Sequence, residues 1–145
     1  MRKTGEDKVS AVIKIYRISR FFYIHHLRII ARVFYAINYL LFNCVIPPSA
    51  DLGKGCNIAH GVGIVIHHQA VIGENTKIYQ NVTIGSKGVH IGKNCYIGTG
   101  AVIMENLGDN VQIGANAVVT KQIPSDSIAV GIPARVIEPK EKDIE

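Results

Sequence analysis

From Ile46 onward the chain follows one spacing. Aliphatic residues stand at Ile46, Leu52, Ile58 and Ile64, at Ile72, Ile78 and Ile84, at Ile91, Ile97 and Ile103, and at Leu107, Ile113 and Val119, a step of six with interruptions. Four places after most of them comes a small or β-branched residue: Ala50, Cys56, Val62, Thr76, Val82, Cys95, Ala101, Val111 and Ala117. Glycine often follows the aliphatic position, as at Gly53, Gly73, Gly85, Gly92, Gly98 and Gly114. Such a step fits neither the period of a helix nor a simple hairpin array. It predicts short parallel strands wound into a three-sided solenoid, three hexads to a coil, with the aliphatic side chains stacked in columns inside.

The N-terminal third reads differently. From about Ser10 to Phe42 apolar residues mix with Arg17, Arg20, Arg28 and Arg32 at spacings compatible with helical faces, and neither Gly nor Pro intervenes. One or two helices are expected. The uncharged run from Val33 to Ile46 contains Asn38 and Asn43 and is shorter than the roughly 20 apolar residues a membrane span needs, so no span is predicted. The expected organisation is a helical segment over 1–45, a β-helix over 46–137 and a charged tail over 138–145.

Charge sharpens this division. Residues 1–46 hold eight Lys or Arg against two acids (8 − 2 = +6), and the remainder holds eight against nine (8 − 9 = −1). The basic helices therefore either cap the solenoid and pack against another subunit, or turn a face toward anionic lipid. Three cysteines without metal-ligand spacing argue for a reducing compartment, and the polar first ten residues do not read as a secretory signal. A cytoplasmic location follows as an expectation, with the inner face of the membrane as its extension. The basic residues come without interleaved stacking motifs, which gives nucleic-acid binding little support.

The repeats between Ile46 and Val136 resemble those of the hexapeptide-repeat acyltransferases. That resemblance implies a mainly β fold, a left-handed parallel β-helix, and a symmetric homotrimer with clefts between neighbouring prisms. The segments IPPSADLGKG, AHGVGIVIHHQAVIG, QNVTIGS and AVGIPARVI are most similar to serine acetyltransferases and to the short polysaccharide O-acetyltransferases related to them. Acetyl transfer from acetyl-CoA to a hydroxyl is the activity implied.

With three hexads per coil, His60 falls at the corner between faces three and one. His67 and His68 fall between faces one and two, in a corner that the eight-residue step from Ile64 to Ile72 makes long. His90 ends a loop from Ser86 one coil above. A neutral imidazole can take the proton of an attacking alcohol, which makes these rings candidate general bases. His60 aligns with the catalytic histidine of the serine enzymes, and His67, His68 and His90 are candidate partners from a neighbouring subunit. His25 and His26, inside the helices, read as structural or interfacial. Gly85, Ser86, Gly98, Thr99 and Ala115 match positions that hold the pantetheine arm in the family, although the glycines are equally explained as turns of the solenoid. Lys121 and Arg135 are candidates for its phosphates. No metal is expected, since no Cys-His pair has ligand spacing.

Departures from the serine enzymes bear on the acceptor. Their His-orienting Asp falls on Val45, and an Asp that binds the amino-acid substrate falls on Ala59. The carboxylates left in the repeats, Asp51, Glu74, Glu105 and Asp109, do not match a position for the ammonium group. The expected acceptor is therefore a hydroxyl of a sugar or glycan precursor, as in polysaccharide biosynthesis. Serine is the alternative acceptor, and a trimeric scaffold without chemistry is the non-enzymatic alternative.

Overall fold

The computed structural model describes residues 10–137, so the tail expected over 138–145 lies outside the described residues. Two helices, α1 (Ala11–Ile24) and α2 (Arg28–Phe42), come first. The first coil then runs through β1 (Asp51–Leu52), β2 (Asn57–Ile58) and β3 (Val65–Ile66), and the second through β4 (Val71–Ile72), β5 (Lys77–Ile78) and β6 (Thr83–Ile84). β7 (His90–Ile91), β8 (Tyr96–Ile97) and β9 (Val102–Ile103) make the third coil. β10 (Gln112–Ile113), β11 (Val118–Val119), β12 (Ile128–Val130) and β13 (Arg135–Ile137) complete the described residues.

Strands of successive coils pair in parallel, Leu52 with Ile72 and Ile58 with Ile78, and so build three faces. Face one holds β3, β6, β9 and β11, face two holds β1, β4 and β7, and face three holds β2, β5, β8, β10, β12 and β13. This is the three-sided parallel β-helix that the repeats predict, the architecture for which the resemblance implies a left-handed sense. In each two-residue strand the second side chain is buried and the first points outward, because successive side chains alternate across a strand. The inward isoleucines stack into one continuous core.

Corners need left-handed backbone, which Asn and Gly tolerate better than other residues. Asn75, Asn94 and Asn110 occupy it at the corner between faces two and three, and Asn81 and Asn116 at the corner between faces three and one. Stacked asparagines bond to one another, Asn94 Nδ2 donating to Asn110 Oδ1 over 3.3 Å and Asn110 Nδ2 to Asp126 Oδ1 over 2.8 Å.

The structure corrects one column. Ile66, not Ile64, stacks with Ile84, as the pairs Val65–Thr83 and Ile66–Ile84 show. Ile64 fills the inner position that the spacing gave to Val62, and Val62 is 54% exposed. The long step is therefore from Ile58 to Ile66 (66 − 58 = 8), in the corner of His60, and the corner of His67 has ordinary length (72 − 66 = 6). Burial of both Ile64 and Ile66 decides this, because it leaves the extra residues at a solvent-facing corner.

Helix α1 seals the first coil. Ser10 caps it, accepting from Ile13 N, and Val12, Ile13 and Tyr16 are buried along one side. Tyr16 Oη donates to Ala50 O over 2.5 Å and accepts from Leu52 N at 3.3 Å. Arg17 donates to Leu52 O and Gly53 O, and Arg20 to Pro48 O and Ser49 O, with an ion pair to Asp51 at 3.3 Å. These side chains satisfy the carbonyls that the open edge at β1 would otherwise leave unpaired. α2 packs on α1 through Ala31 and Asn38, Ser19 Oγ donating to Ala31 O and Asn38 Nδ2 to Val12 O. No described helix is long and apolar enough to cross a membrane.

Candidate active site

His60 lies between β2 and β3 with φ 53°, a left-handed conformation that is uncommon for a residue with a Cβ and often marks a site. The long corner swings its exposed ring outward. Its neighbour Gly61 presses against α1, where an added Cβ would collide with the Val12 side chain. His60 O accepts from Val62 N at 2.7 Å, while among the described residues its ring makes no hydrogen bond and contacts Tyr79, whose ring centroid lies 6.3 Å away. Tyr79 in turn packs on Tyr96 at 5.0 Å.

His67, His68 and His90 share the corner between faces one and two. His67 and His68 lie with ring centroids 4.3 Å apart. His67 Nδ1 accepts from Gln69 N at 3.2 Å, which leaves the proton of a neutral ring on Nε2. At His90, Nδ1 is 3.1 Å from Gly88 O. A carbonyl can only accept, so Nδ1 carries a proton, and in a neutral ring this leaves the lone pair on Nε2. His90 N donates to Asn106 Oδ1 over 2.8 Å, tying the loop to the next coil. Within that loop Ser86 takes φ 117° and Gly88 φ 73°.

The expected cofactor residues divide between the same two corners. Gly98, Thr99 and Ala115 follow β8 and β10 and stand above His60, whereas Gly85, Ser86 and Lys121 stand in the column of His67 and His90. Arg135 is exposed on β13 at the end of face three. The two glycines are not equivalent. A Cβ at Gly98 would come within 2.8 Å of Ala115 N, so coil stacking demands that glycine. At Gly85 it would meet only Met104 Sδ at 3.5 Å and Thr83 Cγ2 at 3.6 Å, so packing leaves that position open to another purpose.

One chain thus keeps the two sets of candidates on different edges. A cavity of about 560 Å³ lies elsewhere, between α1 and the corner joining faces two and three, with Ile13, Arg17, Cys56 and Thr76 in its wall. Among the described residues no three His, Cys, Asp or Glu side chains gather to hold a metal. His25 and His26 sit in the turn between the helices, His25 against Phe21 at 4.4 Å.

Residues 87–121 match the family described as bacterial transferase hexapeptide (six repeats). The chain is a hexapeptide-repeat β-helix protein. It is 40% identical over 131 residues to the serine acetyltransferase of Synechococcus elongatus, covering 84% of this chain and 54% of the relative. It is 35% identical over 138 residues to that of Bacillus pumilus, covering 89% and 64%. A solved serine acetyltransferase in complex with CoA superposes with a TM-score of 0.80 at 32% identity, over 87% of this chain and 55% of the other. The serine acetyltransferase of Neisseria gonorrhoeae gives 0.82 at 31% identity, over 90% and 55%. The hexapeptide-repeat chain spans about half the length of the first of these curated relatives.

These relatives correct the expected acceptor. The sugar or glycan hydroxyl rested on the loss of carboxylates at Val45 and Ala59, yet the similarity at 35–40% identity runs to serine acetyltransferases, and the connection with polysaccharide synthesis falls with it. Two residues with a place near the site were not read as such in the sequence. Tyr79 breaks the habit of a glycine after the column residue, and that irregularity was its signal. Glu105 stands in the corner column of His90, one coil above, and makes no hydrogen bond or ion pair among the described residues. Its only signal was a charge in a repeat.

Proposed function

We propose that this protein transfers the acetyl group of acetyl-CoA to the hydroxyl of serine, in a homotrimer whose clefts each combine the His60 corner of one subunit with the His90 corner of the next. The observation that carries this reading is the 40% identity to a serine acetyltransferase over 131 residues, which include His60 and most of both corners. The division of candidate residues between two edges supports a shared cleft. His60 takes the proton of the serine hydroxyl while the oxygen attacks the thioester carbonyl. The carbon–sulfur bond breaks and the proton passes from the imidazolium to the leaving thiolate, giving O-acetylserine and free CoA. Gly85 and Ser86 hold the pantetheine arm, and Lys121 and Arg135 meet the phosphates.

Serine needs a partner for its ammonium group. Among the repeat carboxylates Asp51 is engaged by Arg20, Asp109 Oδ1 accepts from Lys93 N, and Glu74 lies at the far corner. Glu105 is the one on the His90 edge, and we assign it that role. Thiol release from acetyl-CoA with L-serine tests the reading: turnover is expected with serine, and E105Q should raise the serine KM about three- to five-fold, the worth of one solvated ion pair. Binding of acetyl-CoA without turnover would leave only the scaffold.

The membrane contact is left with Arg28 and Arg32 beside the exposed Ile29 and Val33, because Arg17 and Arg20 are used in sealing the prism. Flotation with anionic vesicles measures it.

A further inference from the structure

His60 poses a mechanical question. A base must be held within a narrow range of orientations, yet this imidazole is exposed and its corner is the longest of its column. The residue that orients it in the serine enzymes falls on Val45, whose backbone pairs with Val65 and whose side chain has no acceptor to offer. What does touch the ring is Tyr79. Resting on the assignment of His60 as base, we infer that the ring of Tyr79 is a positioning residue for His60, doing by ring contact what a carboxylate does by hydrogen bonding.

Three observations carry this. The ring centroids of His60 and Tyr79 are 6.3 Å apart with planes inclined at 50°, within the range of favourable tilted aromatic pairs. Tyr79 is itself fixed. Tyr96 packs against it at 5.0 Å with planes at 47°, and Lys77 Nζ lies 5.6 Å from its ring centroid. Lastly, Tyr79 occupies the place after Ile78 that glycine takes after Ile97 and Ile113, at the same corner one and two coils above. Coil stacking there requires a small residue at Gly98 but not at Tyr79, so the tyrosine is not dictated by the repeat.

The contact is of ring with ring, so the phenol oxygen is dispensable in the direct contact while the ring is not. In assays of thiol release, Tyr79→Leu should lower kcat about ten-fold or more with both KM values within about two-fold, since misorientation acts on the reacting geometry rather than on binding. Tyr79→Phe should restore kcat to within about three-fold of the parent. In the residual single-turnover rate of His60→Ala, adding Tyr79→Leu should change nothing, because the tyrosine acts through the histidine. A Tyr79→Leu enzyme with parental kcat overturns the inference, as does Tyr79→Phe being as slow as Tyr79→Leu, or an undiminished effect of Tyr79→Leu without His60. Full activity of His60→Ala alone would instead remove the base assignment on which the inference stands.

Discussion

The three corners of the prism are not built alike. Between faces two and three every crossing takes six residues: Leu52 to Ile58, Ile72 to Ile78, Ile91 to Ile97, Leu107 to Ile113 and Ile123 to Ala129. Between faces one and two the steps are six, six, seven, four and four, ending at Leu52, Ile72, Ile91, Leu107 and Ile123. Between faces three and one a single step of eight, at His60, interrupts steps of six. The regular corner is also the one where coils touch most closely: a Cβ on Gly73 would come within 2.5 Å of the Gly92 and Lys93 backbone. Where backbone meets backbone the length cannot vary. Irregularity is confined to the two edges that carry His60, His67 and His90, and there the chain is free to differ without disturbing the stack.

The largest effect expected from this contrast is on activity. His60→Ala should lower kcat/KM by about 10²- to 10⁴-fold, the usual contribution of a positioned base, whereas Lys93→Ala on the regular corner should leave it within about two-fold. If the two irregular edges meet across subunits, co-expressing His60→Ala chains with His90→Ala chains should recover activity that neither parent has. Differently tagged chains and mass spectrometry would establish that mixed trimers formed, and mixed trimers as inactive as their parents would separate the edges.

Much of this contrast was legible in the sequence. The column residues and the placing of the histidines on two corners followed from counting by six. The count failed at Ile64-Val65-Ile66, where either isoleucine suits the column and only pairing with Thr83 and Ile84 chooses between them. The capping role of Arg17 and Arg20 was also hidden, because a charge on a helix does not reveal which carbonyls lie opposite. Nor did the sequence predict the acceptor: the absence of carboxylates at Val45 and Ala59 argued for a sugar, and Glu105 lay outside the pattern being matched.

A smaller effect concerns stability. Gly73→Ala should lower the melting temperature by several degrees, as expected for a loss of about 1–3 kcal/mol from overpacking. Gly85→Ala on the irregular edge should leave melting unchanged, because its Cβ would meet nothing closer than 3.5 Å. A fall in acetyl-CoA affinity without a fall in melting temperature would then locate the cofactor at Gly85.

The mildest test is alkaline. Burial raises the thiols of Cys56 and Cys95, on the regular corner, above the ordinary 9.0, and the hydroxyl of Tyr16 above 10.0. The folded state thus holds these protons more tightly than the unfolded one. Their stabilisation is complete below pH 9 and declines as pH rises through the raised values. Melting temperatures should be level up to about pH 8 and fall beyond pH 9, and Cys56→Ala with Cys95→Ala should flatten that fall.

In-register stacking also converts coil number into length. Neighbouring strands lie about 4.8 Å apart, so the prism is a ruler graduated in that unit. From the coil of His60 to that of Ala115 there are three graduations, through the pairs Ile58–Ile78, Ile78–Ile97 and Ile97–Ile113, or about 14 Å. A half-coil inserted between them would turn every later face away from its column. The axial distance between two corner residues can therefore change only by whole graduations, and a molecule laid between them would have to match one of those lengths.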